Sequence, residues 1–243
     1  MSLLLHACLL LVKMITLPLR VAELLGLFSL YKRVFPFIMY KVTFNYNNLM
    51  NDKKRELFRN LSRFYPADGP LRILEIGCGT GANFAHYPTG CHVTCTDPNP
   101  HFLRYLQESM EQNQHLVYDR FVVASGEDLR QVEDASVDVV VCTLVLCSVR
   151  KPHLVLKEAL RVLRPGGAFF FLEHVVFSDP SSWGFFLQHV LQPLWYYCCD
   201  GCETTRATWK HLEAAEFSDL SLQHIQGPFK VMIRPHIVGY AIK

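Results

Sequence analysis

Charge is scarce in this chain. Only 19% of its 243 residues are Asp, Glu, Lys or Arg, and the signs nearly cancel, leaving a formal charge of +2. No stripe rich in lysine and arginine runs along any segment, so electrostatic capture of nucleic acid is excluded as a function class. The single glycine-rich turn is not followed by Gly-Lys-Ser/Thr, which excludes a P-loop. Internal repeats and low-complexity tracts are also lacking. Cysteine, by contrast, is plentiful. The nine cysteines are odd in number and scattered through apolar runs such as VVVCTLVLCSV, so they read as buried, reduced thiols of a protein facing the cytosol. The run CCDGC invites a zinc reading through Cys199 and Cys202, with His189 and His211 near in sequence. A second ligand pair of matching spacing is missing, and no metal is expected.

What the chain has instead is apolar surface. Half of its residues are hydrophobic, and the excess lies in residues 1–41. No basic residue precedes that apolar run and no small-x-small site follows it cleanly, so a cleaved signal peptide is not expected. Lys13, Arg20 and Glu23 break it short of the roughly 18 uninterrupted apolar residues that a spanning helix needs. On a helical wheel Ser2, His6, Lys13, Thr16, Arg20 and Glu23 share one arc of roughly 100°, and nearly everything else up to Leu25 is apolar. A broad greasy face with a narrow polar stripe suits a helix lying in a membrane interface, bent at Pro18. The rings and cations of LYKRVFPFIMYK suit the headgroup level.

The length accommodates one well-buried domain and an appendage. Residues 42–69 read as a linker and a helix, closed by PADGP. From residue 70 to 243 strand-like and helix-like stretches alternate, with strands expected at 71–76, 91–96, 120–124, 136–146 and 168–175 and at two C-terminal tails. A helix is expected directly after the glycines, another over PHFLRYLQESMEQN, and a third over KPHLVLKEALRVL, stopped by RPGG. This alternation predicts an α/β fold with a mostly parallel sheet covered on both faces. Residues 177–208 break the rhythm and read as an aromatic cap inserted over one end of the sheet.

The stretch LEIGCGTGANF ends a strand in Gly77, Gly79 and Gly81, a turn that lets backbone N–H groups face a ligand. On these glycines alone a nicotinamide dinucleotide site stays open. Two neighbours narrow it. Glu75, placed at the rim, would repel a pyrophosphate and suits a cation. Asp97, at the end of the next strand, fits an acceptor for ribose hydroxyls. The ligand so implied is a nucleoside carrying a positive group, S-adenosyl-L-methionine. Asp128, in ASGEDL, stands where it could accept from the adenine amino group; a solvated side chain is the plain alternative.

The ordered set LEIGCGTGANF, TDPNP, GEDL, DVVVCTLVLCSV and VLRPGG resembles the successive motifs of class I S-adenosylmethionine-dependent methyltransferases over about residues 70–175. The finer wording, including EHV and DGC..TR.TWK, resembles the methyltransferase-like protein 7 family from about Lys53 to the C-terminus. That resemblance implies a Rossmann-like, seven-stranded sheet whose last strand is antiparallel. It also implies anchorage to endoplasmic reticulum and lipid droplets, and methylation of small thiols. Oxygen, nitrogen or carbon acceptors on a lipid or quinone, and a non-catalytic lipid-droplet scaffold, are the alternatives.

Methyl transfer needs alignment, exclusion of water and an acceptor in its reactive protonation state, which for a thiol is the thiolate. Ligands of open α/β sheets lie at the carboxyl ends of the strands. The groups expected there are Cys147 and Ser148 after the fourth strand, and Glu173 and His174 after the fifth. His174 is the candidate general base. The cap rings Trp183, Phe185, Phe186, Trp195, Tyr196 and Tyr197 are expected to roof a lipophilic acceptor, and Asp200 to belong to a turn.

Overall fold

The computed structural model describes residues 2–243. Short runs of Val, Ile, Leu and Phe build its centre: β1 (Arg72–Ile76), β2 (His92–Asp97), β3 (Val117–Val123), β4 (Val137–Thr143) and β5 (Leu163–His174). They pair in parallel, and β6 (Asp219–Gln226) and β7 (Pro235–Ile242) complete a seven-stranded sheet in the order β3-β2-β1-β4-β5-β7-β6. Only β7 runs against its neighbours, β5 and β6. The central strands are apolar at nearly every position because both faces are covered.

On one face Ile73, Val139, Val141, Phe170 and Leu172 meet the long helix α3 (Phe28–Arg59) through Tyr46, Met50, Leu57 and Phe58, beside α4 (Leu103–Gln112). On the other, Leu74, Ile76, Val140 and Phe169 meet α5 (Pro152–Val162), whose Val155, Leu156, Ala159 and Val162 recur at helical spacing, and Leu212 of α7 (Thr208–Glu213). The sequence expectations for β1, β2, β4, α4 and α5 are met within a few residues. β5 starts earlier than expected, because the RPGG segment is already extended and pairs Leu163 with Val137.

Two local expectations fail. No α-helix follows the glycines; the chain makes turns and one 3-10 turn, Phe84–His86. The reason is tertiary. The Ala82 carbonyl accepts from Asn47 Nδ2 (2.8 Å) and Lys54 Nζ (3.2 Å), both on α3, and is withdrawn from helical pairing. Nor is there a linker at residue 42, since α3 is continuous from Phe28 to Arg59. Its first half carries exposed apolar side chains and its second half is a core helix.

The leader ahead of α3 is two helices, α1 (Ser2–Ile15) and α2 (Leu17–Leu24), bent by 47°. Pro18 begins the second, and Thr16 Oγ1 turns back to the Val12 carbonyl at 3.0 Å. Among the described residues no single helix is long and apolar enough to cross a membrane; α1 and α2 reach that measure only together. The cap is the helix α6 (Trp183–Cys198), against which α1 packs. Gln188 locks α6 to the sheet by accepting from Phe177 N and donating to the carbonyls of Val175 and Met232.

At the end of the sheet opposite the glycine turn, the fully buried Asp138 accepts from Arg72 N at 2.7 Å and Arg164 Nε at 2.6 Å. Removing the carboxylate leaves the Arg72 N–H and the half-buried Arg164 guanidinium without this acceptor. Asp138→Ala is expected to lose about 2 kcal/mol of unfolding free energy in urea titrations, the range for hydrogen bonds to a charged group.

Candidate active site

The site is assembled from loops at the carboxyl ends of β1, β2, β4 and β5. The turn after β1 takes Gly77, Gly79 and Gly81 through φ of +62°, +52° and +75°, where a side chain is strained. A Cβ on Gly77 would stand 2.4 Å from Val145 Cγ2, and one on Gly81 2.6 Å from the Phe84 ring. A Cβ on Gly79 would meet only the Phe102 ring, at an ordinary contact distance of 3.7 Å, so this position is less crowded than its two neighbours.

Asp97 closes the turn from the side. Its Oδ2 accepts from Gly79 N at 3.1 Å and its Oδ1 from Asn99 N at 2.8 Å. Burial pushes its carboxyl up to about 6, although the two N–H donors pull the other way; the nearby Asp200 adds to the rise. The acceptor capacity left on this carboxylate suits hydroxyl donors and repels a phosphate chain. α3 covers this corner, with Asn99 Nδ2 donating to Lys32 O at 2.8 Å and Phe35 edge-on to Phe102.

Glu75 is not at the rim. It is buried beneath the turn, and its two oxygens accept from Asn83 Nδ2 and Tyr87 OH, each at 2.7 Å. Burial raises its carboxyl to about 7 against the pull of those donors and of Lys54, whose own ammonium burial lowers to about 8. Glu75 thus fixes the turn from below, and presents Asn83, whose Oδ1 is buried without a protein partner.

Asp128 is engaged by another side chain. It is exposed and holds Arg130 through both oxygens, at 2.9 and 2.6 Å. What borders Asp97 from the third strand is backbone: Ala124 N donates to Asp97 O at 3.3 Å, and Gly126 sits where a Cβ would meet Ile76 at 2.6 Å. The signal in the sequence is Arg130, two residues on, whose guanidinium takes both oxygens of Asp128.

Glu173, the penultimate residue of β5, accepts from three successive N–H groups, Val145 and Leu146 at 3.0 Å and Cys147 at 3.2 Å. Leu144, with φ +58°, starts this loop in the left-handed region. The buried carboxylate, raised to about 7 by desolvation, holds the loop in place. His174 is buried beside it. Its Nδ1 is 3.7 Å from Cys202 Sγ, which is 3.5 Å from Cys147 Sγ. His236 stands edge-on to His174 at 4.8 Å and bonds Tyr46 OH at 3.2 Å; burial, with the neighbouring His174, drives its imidazole down to about 3. Cys199 has no part in this group, and the three side chains that do come from separate elements.

The cap loop closes the site. Glu203 N donates to Cys147 O at 2.8 Å, and Arg206 to the carbonyls of Leu146 and Val149. Asp200 sits in a turn, at φ +45°. The aromatic roof is only partial. Phe186 is buried, but Trp183 is exposed, Phe185 stacks on His189, and Tyr197 meets Phe28 of α3.

Comparison with known proteins agrees with this geometry. Residues 74–171 match a family model described as a methyltransferase domain. The human thiol S-methyltransferase TMT1A is 56% identical over 90% of each chain, and human thiol S-methyltransferase TMT1B is 53% identical over 96% of each. Among solved structures, a methyltransferase-like protein of Bacillus halodurans superposes with a TM-score of 0.57 at 17% identity, covering 76% of this chain and 98% of that one; it speaks for the fold alone. At 96% coverage the match to human TMT1B takes in the sheet, the cap and most of the leader, and the chain belongs to the S-adenosylmethionine-dependent thiol S-methyltransferase family.

Proposed function

We propose that the protein methylates the sulfur of small lipophilic thiols while lying on a membrane surface, that of the endoplasmic reticulum and of lipid droplets, with its catalytic domain towards the cytosol. The observation that carries the reading is 53% identity with a thiol S-methyltransferase over 96% of the chain, the cap included. Location and acceptor class rest on the family resemblance and on the surface described below.

S-adenosylmethionine supplies a methyl group already activated by the sulfonium charge. The chain's residues suit it. Gly77, Gly79 and Gly81 leave room for the nucleoside, Asp97 would accept from its ribose hydroxyls, and the spare Oδ1 of Asn83 complements an ammonium. Glu75 acts through Asn83, and Asp128 is left out. The cap loop, tied to residues 146–149, keeps water from the strand ends.

The membrane reading is supported by exposed apolar side chains on the leader helices and on α6. Leu3, Leu10, Met14, Leu24, Leu30 and Phe44 are each more than half exposed along α1, α2 and α3. On α6 Trp183, Leu187, Leu191 and Leu194 form an exposed stripe at helical spacing. Patches of this kind mark a membrane or protein partner. Near their edge Lys41 Nζ lies 5.8 and 5.7 Å from the rings of Phe37 and Tyr40, a pairing suited to headgroups.

A panel of alkyl thiols, phenols, quinols and amines with labelled S-adenosylmethionine is expected to show label on the thiols, rising with chain length; phenol or amine preference overturns the acceptor assignment. In flotation with phosphatidylcholine vesicles the full chain is expected to rise with the lipid, and Leu24→Glu combined with Leu30→Glu to stay behind. Because only ionised Asp97 accepts from two hydroxyls, cofactor affinity measured by calorimetry is expected to fall as pH drops below about 6. Asp97→Asn should flatten that profile and weaken binding about tenfold to a hundredfold, the loss of a charge-assisted hydrogen bond.

A further inference from the structure

Spacing along the chain argued against a metal, yet three ligating side chains meet in space. Cys147 comes from the loop after β4, His174 from the end of β5, and Cys202 from the loop after the cap helix. One ligand atom of each lies within 4.8 Å of the other two, and all three residues are buried. The Cys202–Cys147 sulfurs are 3.5 Å apart and Cys202 Sγ is 3.7 Å from His174 Nδ1. Around a tetrahedral zinc, with bonds of about 2.3 Å to sulfur and about 2.0 Å to nitrogen, the corresponding separations are about 3.8 and about 3.5 Å. These two pairs need change only by a few tenths of an ångström, and the third, Cys147 Sγ to His174, lies within 4.8 Å and must close towards the same separation of about 3.5 Å.

Charge and support agree with the distances. Two thiolates and a neutral imidazole cancel the charge of a divalent cation, so the occupied site carries no net charge into the core. The loop bearing Cys147 is clamped from two sides, by Glu173 on its N–H and by Glu203 N on its carbonyl, the supporting bonds that hold ligands in place. Among the described residues no fourth His, Cys, Asp or Glu joins the group. Three protein ligands with one position open is the pattern of catalytic rather than structural zinc.

We propose that Cys147, His174 and Cys202 bind a thiophilic divalent cation, zinc by the chemistry of its donors, and that the open position takes the sulfur of the acceptor thiol. The second half rests on the thiol reading above. As the acceptor binds, its S–H bond breaks, a sulfur–zinc bond forms and the proton leaves to solvent, with no change of oxidation state. A coordinated thiol is held as thiolate at neutral pH. His174 then serves as a ligand, not as the base its position at the strand end suggests.

The full chain purified from zinc-supplemented cells is expected to hold zinc in stoichiometric amount by plasma mass spectrometry. Cys147→Ser and Cys202→Ser should lose it and Cys199→Ser should keep it. Zinc far below stoichiometry in wild type, or unchanged in Cys202→Ser, overturns the site. Should the serine variants not fold, wild type refilled with cobalt decides: a thiolate-to-cobalt charge-transfer band supports the site and its absence overturns it. Hexanethiol added to the cobalt protein is expected to strengthen that band. An unchanged band overturns the acceptor's place on the metal while leaving the metal site standing. If the acceptor panel shows no thiol methylation but the cobalt band is present, the thiol reading fails and the site survives.

Discussion

Three carboxylates lie buried at the carboxyl ends of the strands, and the loops of the site are folded to satisfy them. A carboxylate taken out of water must accept hydrogen bonds or be neutralised. Glu75 on β1 takes Asn83 and Tyr87, Asp97 on β2 takes the N–H groups of Gly79 and Asn99, and Glu173 on β5 takes those of residues 145–147. Each loop is thereby pinned to the end of a strand whose position the sheet already sets. The glycine turn is gripped from below and from the side. The loop after β4, held by Glu173, in turn carries Cys147 to His174 and Cys202.

The leader and the cap belong to the same construction. α3 is one helix with two environments: its first half offers apolar side chains outward, and its second half covers the sheet and reaches the glycine turn through Asn47 and Lys54. Within that first half, Lys32 and Phe35 turn inward to contact Asn99 and Phe102, next to Asp97. α6 presents its exposed stripe on one side and sends the following loop, with Cys202, into the strand ends on the other. The apolar surface and the strand ends are therefore linked through the same two helices, α3 and α6.

Legibility followed the range of each interaction. The strand alternation, the glycine turn and the place of Asp97 are local facts: they depend on side-chain period, on positive φ and on the end of a strand, all of which a few neighbouring residues reveal. The bend ahead of α2 was equally readable, because Pro18 lacks an N–H. Asp128 misled because a carboxylate at the expected spacing says nothing of Arg130, which occupies both its oxygens. The helix expected after Gly81 was cancelled by Asn47 and Lys54, more than two dozen residues upstream.

By itself, then, the sequence determined the kind of molecule: a parallel sheet, a turn open to a nucleoside, an acid beside it and an apolar leader. Tertiary structure alone decided that Glu75 lies beneath the turn rather than at its rim. It alone brought Cys147, His174 and Cys202 together, since they are separated by 27 and 28 positions. The physical reason is that a turn is set by the conformations of adjacent residues, whereas a ligand cluster exists only when several strands have been placed side by side and a cap folded over their ends.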